Sequence, residues 1–316
     1  MVVEWKWEDA IPHYGTPVTE GPVWDGRYVW FVHTWLNRIL RFDPERNSVE
    51  SVYEDSNGAG GLTFDAQGRL YGTEGGTRPP LIDHTGIRRI ARYEKDGTRT
   101  TIVDRLNGRR LNAPNDLIVD SKGRVWFSDP ITTIAEQGHR LGPNTKPLQL
   151  THSSILRADP QPDGTYACHR ATYDMTGPNG LVLSKDERTL YATQLDYNGN
   201  ERRELRAYPV AEDGSLGPHT VLHDFGPHRG IDGMRLTVDG YIVATAGWAA
   251  SGPGGMIYVF DPKGRVLETH PTPCLRPTNC CFAGPDLTEL YVTSIQGHLL
   301  RVRDTGLKGY LLFPKV

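Results

Sequence analysis

Four oxygen-bearing side chains stand at the heads of similar short motifs, and together they could hold a cation: Glu20, Asn115, Asn179 and Asp232. They open Glu20-Gly-Pro-Val-Trp24, Asn115-Asp-Leu-Ile-Val119, Asn179-Gly-Leu-Val-Leu183 and Asp232-Gly-Met-Arg-Leu236. Asn279-Cys-Cys-Phe282 and Gly60-Gly-Leu-Thr-Phe64 are two further copies, one headed by an amide and one by glycine. The heads include carboxylates and carboxamides, but no thiol and no imidazole. Oxygen-only donors suit hard divalent ions, Ca²⁺ first and Mg²⁺ or Mn²⁺ next, with Zn²⁺ and Fe²⁺ as further ions to try. Glu20 and Asp232 would neutralise one such ion; without it, two carboxylates on one narrow axis repel and one pKa rises. Each residue also has an ordinary reading. Asn-Asp and Asp-Gly are common turn pairs whose side chains bond their own backbone. Glu20 has no such preference, and recurrence of the head position along the chain favours a shared site.

The elements that must position these residues are hairpins. Asn115–Val119 is followed by the turn Asp120-Ser-Lys-Gly-Arg124 and a second apolar run, Val125-Trp-Phe-Ser-Asp129. Leu181-Val-Leu183 leads through a polar turn to Leu190-Tyr-Ala-Thr193, and Met234-Arg-Leu236 leads through Val-Asp-Gly to Tyr241-Ile-Val-Ala-Thr245. Short apolar runs around Gly or Asp turns read as antiparallel pairs. Most units continue into a third alternating run, such as Arg38-Ile-Leu-Arg-Phe-Asp43 or Ile257-Tyr-Val-Phe-Asp261. The units begin near residues 20, 60, 115, 179, 232 and 279. Repeats of that length are the signature of four-stranded propeller blades. The expected fold is therefore all-β: one six-bladed propeller domain over residues 1–316, with the motif heads ringing one mouth of its channel. Either Val3–Trp7 or Gly309–Phe313 could supply the outer strand that closes the last blade.

Composition agrees and excludes other classes. The chain has 316 residues with 35 Gly and 23 Pro, as many turns require, and no apolar run long enough to span a bilayer. The first residues lack the continuous apolar stretch of a signal peptide, so the expected location is the cytoplasm. A formal charge of -3 with interspersed signs leaves no basic stripe for nucleic acid. The four cysteines, Cys168, Cys274, Cys280 and Cys281, form no CxxC pair and are expected to be reduced packing residues. A small-molecule substrate and a monomer or small homo-oligomer are the expected partners.

Glu20-Gly-Pro-Val-Trp24, Ala113-Pro-Asn-Asp-Leu117, Gly177-Pro-Asn-Gly-Leu181 and Ile231-Asp-Gly-Met234 resemble the motifs of the SMP-30/gluconolactonase/LRE-like family, in order along essentially the whole chain. That resemblance implies a six-bladed propeller with one divalent metal and hydrolysis of sugar or related lactones. Residue by residue, Glu20, Asn179 and Asp232 resemble the direct metal ligands. Asn115 resembles the polar neighbour shared between metal and substrate, and Asp232 also resembles the proposed general base. The regucalcin-like branch has an Arg two positions before the equivalent of Asn115, whereas this chain has Ala113. Asp129-Pro130 instead is similar to the bacterial gluconolactonase branch.

The expected reaction is attack of water on a lactone carbonyl, with Asp232 as base and Asp129 as second candidate. Glu74 and His33, which end second strands, are expected with Asn115 and Asp129 to line the substrate mouth. Two rival functions use the same fold: an aryl esterase or organophosphate hydrolase, and a non-catalytic Ca²⁺-binding propeller.

Overall fold

The computed structural model describes residues 4–11, 18–76, 86–131, 147–195, 202–250 and 252–313. Hairpin turns of one chemistry organise the repeats. Asp120 accepts the Lys122 and Arg124 N–H groups through Oδ1, while its Oδ2 receives Arg124 Nε at 2.6 Å and Trp126 Nε1 at 2.9 Å. Asp65 and Asp261 hold Asp-x-x-Gly-Arg turns in the same way. The carboxylate replaces ladder bonds that the turn cannot make, and glycine supplies the positive φ at Gly68, Gly123 and Gly264.

Six antiparallel blades follow. Blade 1 comprises Thr19–Trp24, Val29–His33, Arg38–Asp43 and Ser48–Tyr53; blade 2 comprises Ala59–Phe64, Leu70–Glu74, Arg89–Tyr93 and Arg99–Val103. Blade 3 is Leu117–Val119, Val125–Asp129, Ser154–Pro160 and Tyr166–Arg170; blade 4 is Pro178–Leu183, Thr189–Gln194, Glu204–Pro209 and Thr220–Asp224. Blade 5 is Ile231–Thr237, Ile242–Ala246, Met256–Phe260 and Val266–Pro271. Blade 6 is Pro277–Ala283, Glu289–Ser294 and Leu299–Val302, completed by the N-terminal strand Trp7–Ile11. Inner strands touch in chain order, and that of blade 6 meets that of blade 1, so the ring is closed. The core lies between blades. Tyr71 and Ile90 of blade 2 pack with Leu117 and Phe127 of blade 3, for example, and Trp126 is wholly buried between blades 3 and 4.

The two termini have different tasks. Trp7 pairs with Val302 and Ile11 with Leu299, so the N-terminal segment closes the ring a few residues later than Val3–Trp7. Gly309–Tyr310 does not join blade 6; it pairs with the inner strand of blade 5, Tyr310 opposite Leu236. Residues Tyr310–Phe313 then cross the channel mouth remote from the motif heads. Beneath them lies an apolar cavity of about 80 Å³, walled by residues from all six inner strands, including Val23, Phe64, Leu117, Leu183, Leu236 and Cys281. All four cysteines are free, and Cys280 and Cys281 are buried as packing residues. Among the described residues no helix is long and apolar enough to cross a membrane.

Candidate functional site

The motif heads gather at the opposite mouth, and a repeated irregularity aims them. In five blades the first strand sets three steps against two of its partner. Pro178 faces Gln194 and Leu181 faces Ala192; Ile231 faces Ala246 and Met234 faces Ala244. The same shift occurs between Glu20 and Val23, Ala59 and Leu62, and Pro277 and Cys280. In blade 3 regular pairing begins at Leu117, opposite Phe127. A bulge leaves residues outside the ladder and turns their side chains, here at the channel mouth.

Registered on these bulges, the heads form steps and not the single ring that spacing suggested. Asn115, Asn179 and Asp232 each stand two residues before the resumed pairing. Glu20 stands three residues before it, while Asn279 stands one residue before, level with Asp116. Glu20 and Asn115 are half-buried; Asn179, Asp232, Asp116 and Asn279 are buried. Asp116 is the acid that sequence reasoning overlooked, because it reads as the turn partner of Asn115. Its signal was comparative: at the same step three other blades have Gly61, Gly180 and Gly233.

Those glycines let the inner strands converge. A Cβ on Gly233 would overlap the Asn279 carboxamide, and one on Gly61 would lie 2.6 Å from Asp116 Oδ1. Hydroxyls on the second strands accept from N–H groups at the bulges. Thr73 Oγ1 accepts from Gly61 N–H at 2.9 Å and donates to the Asn115 carbonyl of the next blade at 2.8 Å. Thr245 accepts from Gly233 and donates to the Thr278 carbonyl in the same fashion, and Ser128 accepts from Asp116 N–H at 3.0 Å.

The electrostatics are those of acids crowded together. Burial pushes the Glu20 carboxyl well above its usual range, and the charges of Asp232 and Asp116 push it further; the Gly21 N–H and Arg276 oppose them. Burial also raises Asp116, against the opposing pull of Arg235, the Leu117 N–H and Asn279. Asp232 Oδ2 lies 2.6 Å from a terminal nitrogen of Arg229. Arg276 lies under Trp248, its guanidinium carbon 5.9 Å from the ring centroid, and Trp248 is 41% exposed. Neither arginine is marked in the sequence, since both precede the motifs in irregular loops.

Three expected substrate-facing residues are turned to other work. Asp129 is buried, and its two oxygens accept the N–H groups of Asn112 and Ala113, each at 2.9 Å. Burial raises its carboxyl to about 7, with those two donors and Arg88 opposing. It therefore braces the loop that delivers Asn115, and the structure gives it no open face toward a substrate. Glu74 is wholly buried among Asn57, Arg89, Tyr93 and Arg99. His33 is wholly buried too, with burial pushing its pKa down to about 4. Gln194 follows the bracing pattern: its Oε1 accepts from Thr176 and Gly177, just before Asn179. The ends of second strands thus support the loops that deliver the motif heads.

Among the described residues, no three His, Cys, Asp or Glu side chains group closely enough to hold an ion by themselves. A cation here needs the Asn amides as well. Crowded acids that raise the carboxyls of Glu20 and Asp116, beside neutral amide oxygens, are a donor set that fits a hard divalent ion.

A closed six-bladed ring with acids and amides stepped around one mouth defines the class. The SMP-30/gluconolactonase/LRE-like profile matches residues 18–296, and the chain belongs to that family. It is 27% identical to a gluconolactonase of Zymomonas mobilis, over 93% of this chain and 83% of that protein. A pentonolactonase of Haloferax volcanii is also 27% identical, with 88% of this chain and 81% of the relative covered. The solved structure of a gluconolactonase from Xanthomonas campestris superposes with a TM-score of 0.75 at 28% identity, covering 94% of this chain and 89% of that one.

Proposed function

We propose that this protein is a metal-dependent hydrolase that opens the ring of a lactone, a sugar lactone such as gluconolactone first. One observation carries the reading: Glu20, Asn115, Asn179 and Asp232 stand at the starts of four inner strands, around one channel mouth, in a chain of this family. Glu20, Asn179 and Asp232 would hold the ion, Ca²⁺ first, and Asn115 would sit between it and the substrate. A bound divalent ion supplies a Lewis acid for the lactone carbonyl. Asp232 removes a proton from water as the water oxygen bonds to the carbonyl carbon. The bond from that carbon to the ring oxygen then breaks, and the ring oxygen takes a proton to leave a hydroxy acid. General-base help of this kind is worth roughly 10²–10⁴-fold. Asp129 acts one step back by fixing the Asn112–Ala113 backbone ahead of Asn115.

The test is a pH-indicator screen of sugar and aliphatic lactones on chelated protein, with Ca²⁺, Mg²⁺, Mn²⁺, Zn²⁺ and Fe²⁺ restored separately. Asp232→Ala and Asn179→Ala are expected to lose at least about 10²-fold in turnover. Undiminished turnover in both variants after Ca²⁺ replenishment would sink the mechanism. Aryl ester or organophosphate hydrolysis without lactone hydrolysis reassigns the substrate, and tight metal binding without any turnover makes the protein a binding propeller.

A further inference from the structure

One residue before the end of its second strand, each blade but the first carries a hydroxyl: Thr73, Ser128, Thr193, Thr245 and Thr293, where blade 1 has Val32. These residues face the irregular starts of the first strands. Four of the hydroxyls do the same work. Gly61, Asp116, Gly233 and Asn279 donate their N–H groups to Thr73, Ser128, Thr245 and Thr293, at 2.9 to 3.2 Å. Two of the four also clasp the next blade. Thr73 donates to the Asn115 carbonyl at 2.8 Å, and Thr245 donates to the Thr278 carbonyl at 2.9 Å. Each carbonyl belongs to the residue two places before regular pairing resumes, at Leu117 and at Cys280.

Thr193 breaks the pattern. It is 1% exposed, and its hydroxyl has no hydrogen-bond partner among the described residues. A buried hydroxyl without a partner costs free energy, so its survival in a repeated arrangement needs a reason. The repeat itself names the partners it lacks. By register they are the Gly180 N–H, in its own blade, and the Asp232 carbonyl of blade 5, two places before Met234. The two lie side by side, because a Cβ on Gly180 would stand 2.3 Å from that carbonyl oxygen. The clasp therefore needs a small turn of the peptides and no new approach of the blades. Both missing partners also adjoin candidate ligands: Gly180 follows Asn179, and the carbonyl is that of Asp232 itself.

We propose that Thr193 is a positioning residue for the ion. When Asn179 and Asp232 share a divalent cation, the peptides beside them turn, and the Thr193 hydroxyl bridges the Gly180 N–H and the Asp232 carbonyl. The hydroxyl touches neither the ion nor the substrate. It fixes the spacing of two ligands on adjacent blades, and it does so only in the ion-bound protein. The proposal rests on the ion-binding part of the reading above and not on which substrate is cleaved.

The experiment is calorimetric titration of Ca²⁺, Mg²⁺, Mn²⁺, Zn²⁺ and Fe²⁺ into chelated protein, with thermal melting of the same chelated samples. Thr193→Val, which keeps the shape and removes the hydroxyl, is expected to bind the wild type's preferred ion about three- to tenfold more weakly. Chelated Thr193→Val is expected to melt no lower than the wild type, because no bond is lost. Thr245→Val breaks a bridge already made, and its chelated form is expected to melt about 2–4 °C lower. Thr193→Ser keeps the hydroxyl and is expected to bind the ion within about twofold of the wild type. Ion binding by Thr193→Val as tight as the wild type's overturns the proposal. So does a drop in melting temperature of chelated Thr193→Val equal to that of Thr245→Val, which would mean that the bridge exists without the ion. A wild type that binds none of the five ions overturns the ion-site reading itself, and the clasp with it.

Discussion

Asp129 shows how a single residue can carry the signs of catalysis and serve another purpose. Its carboxyl is raised to about 7 by burial, yet both oxygens are engaged by backbone N–H groups. An acid raised in the fold contributes its stability below the unfolded value of about 3.8, and that contribution fades as pH climbs through about 7. Asp129→Asn is expected to remove this slope from a thermal unfolding series between pH 4 and 8. It should also cost about 1–3 kcal/mol at low pH, since an amide cannot accept both N–H groups. An unchanged slope would mean that the burial of Asp129 is not what drives the titration. Gly233 makes a complementary case from the smallest side chain. Gly233→Ala must push the Asn279 carboxamide aside, and about 1–3 kcal/mol of stability should be lost in urea unfolding. A variant as stable as the wild type would show that the inner strands are less tightly drawn than their spacing implies.

At the scale of elements, the hairpin repeat was legible because its signals are local: a Gly or Asp turn between two apolar runs. Glu20, Asn115, Asn179 and Asp232 were legible because each heads a repeat. The one-residue steps among them were not, since a bulge is a property of pairing and only the partner strand reveals it. Asp116 was hidden for the same reason. Glu74, Asp129 and Gln194 end their strands identically in sequence whether they face a ligand or brace a loop. The C-terminal segment was equally ambiguous, and its place beside blade 5 gives it a testable task as a plug. Truncation after Lys308 uncovers the apolar cavity, and Gly309→Val drives a side chain into Phe282 with the same result. In a Cys168→Ser background, which removes the one half-exposed thiol, Cys281 should then react with a thiol reagent at least about tenfold faster. Labelling no faster than in the parent, in either variant, would show that the segment does not seal the channel.

The whole molecule depends on one seam, where the first strand of the chain completes the last blade. Across it, Thr278 Oγ1 donates to the Thr19 carbonyl at 2.8 Å, so the inner strands of blades 6 and 1 are tied directly at the functional mouth. Farther out, the seam rests on Trp7–Ile11 against Leu299–Val302 and on Trp5, which stacks on His270 with centroids 3.7 Å apart. Trp5 Nε1 also donates to the Thr305 carbonyl at 3.1 Å. Ion pairs decorate the same strand: Glu8 meets Arg301 at 2.6 Å and Arg303 at 2.9 Å, but its side chain is 41% exposed. Burial and exposure assign the seam's strength between these two kinds of contact. Trp5→Ala removes a buried indole and a hydrogen bond and is expected to cost about 3–5 kcal/mol. Glu8→Gln loses a screened pair to Arg303 and weakens one to the buried Arg301, and should cost about 1 kcal/mol, well below the loss in Trp5→Ala. Urea unfolding of both variants decides the matter. If Glu8→Gln proves the costlier, the ring is closed by charge and not by packing, and the apolar anchor ascribed to Trp5 is wrong.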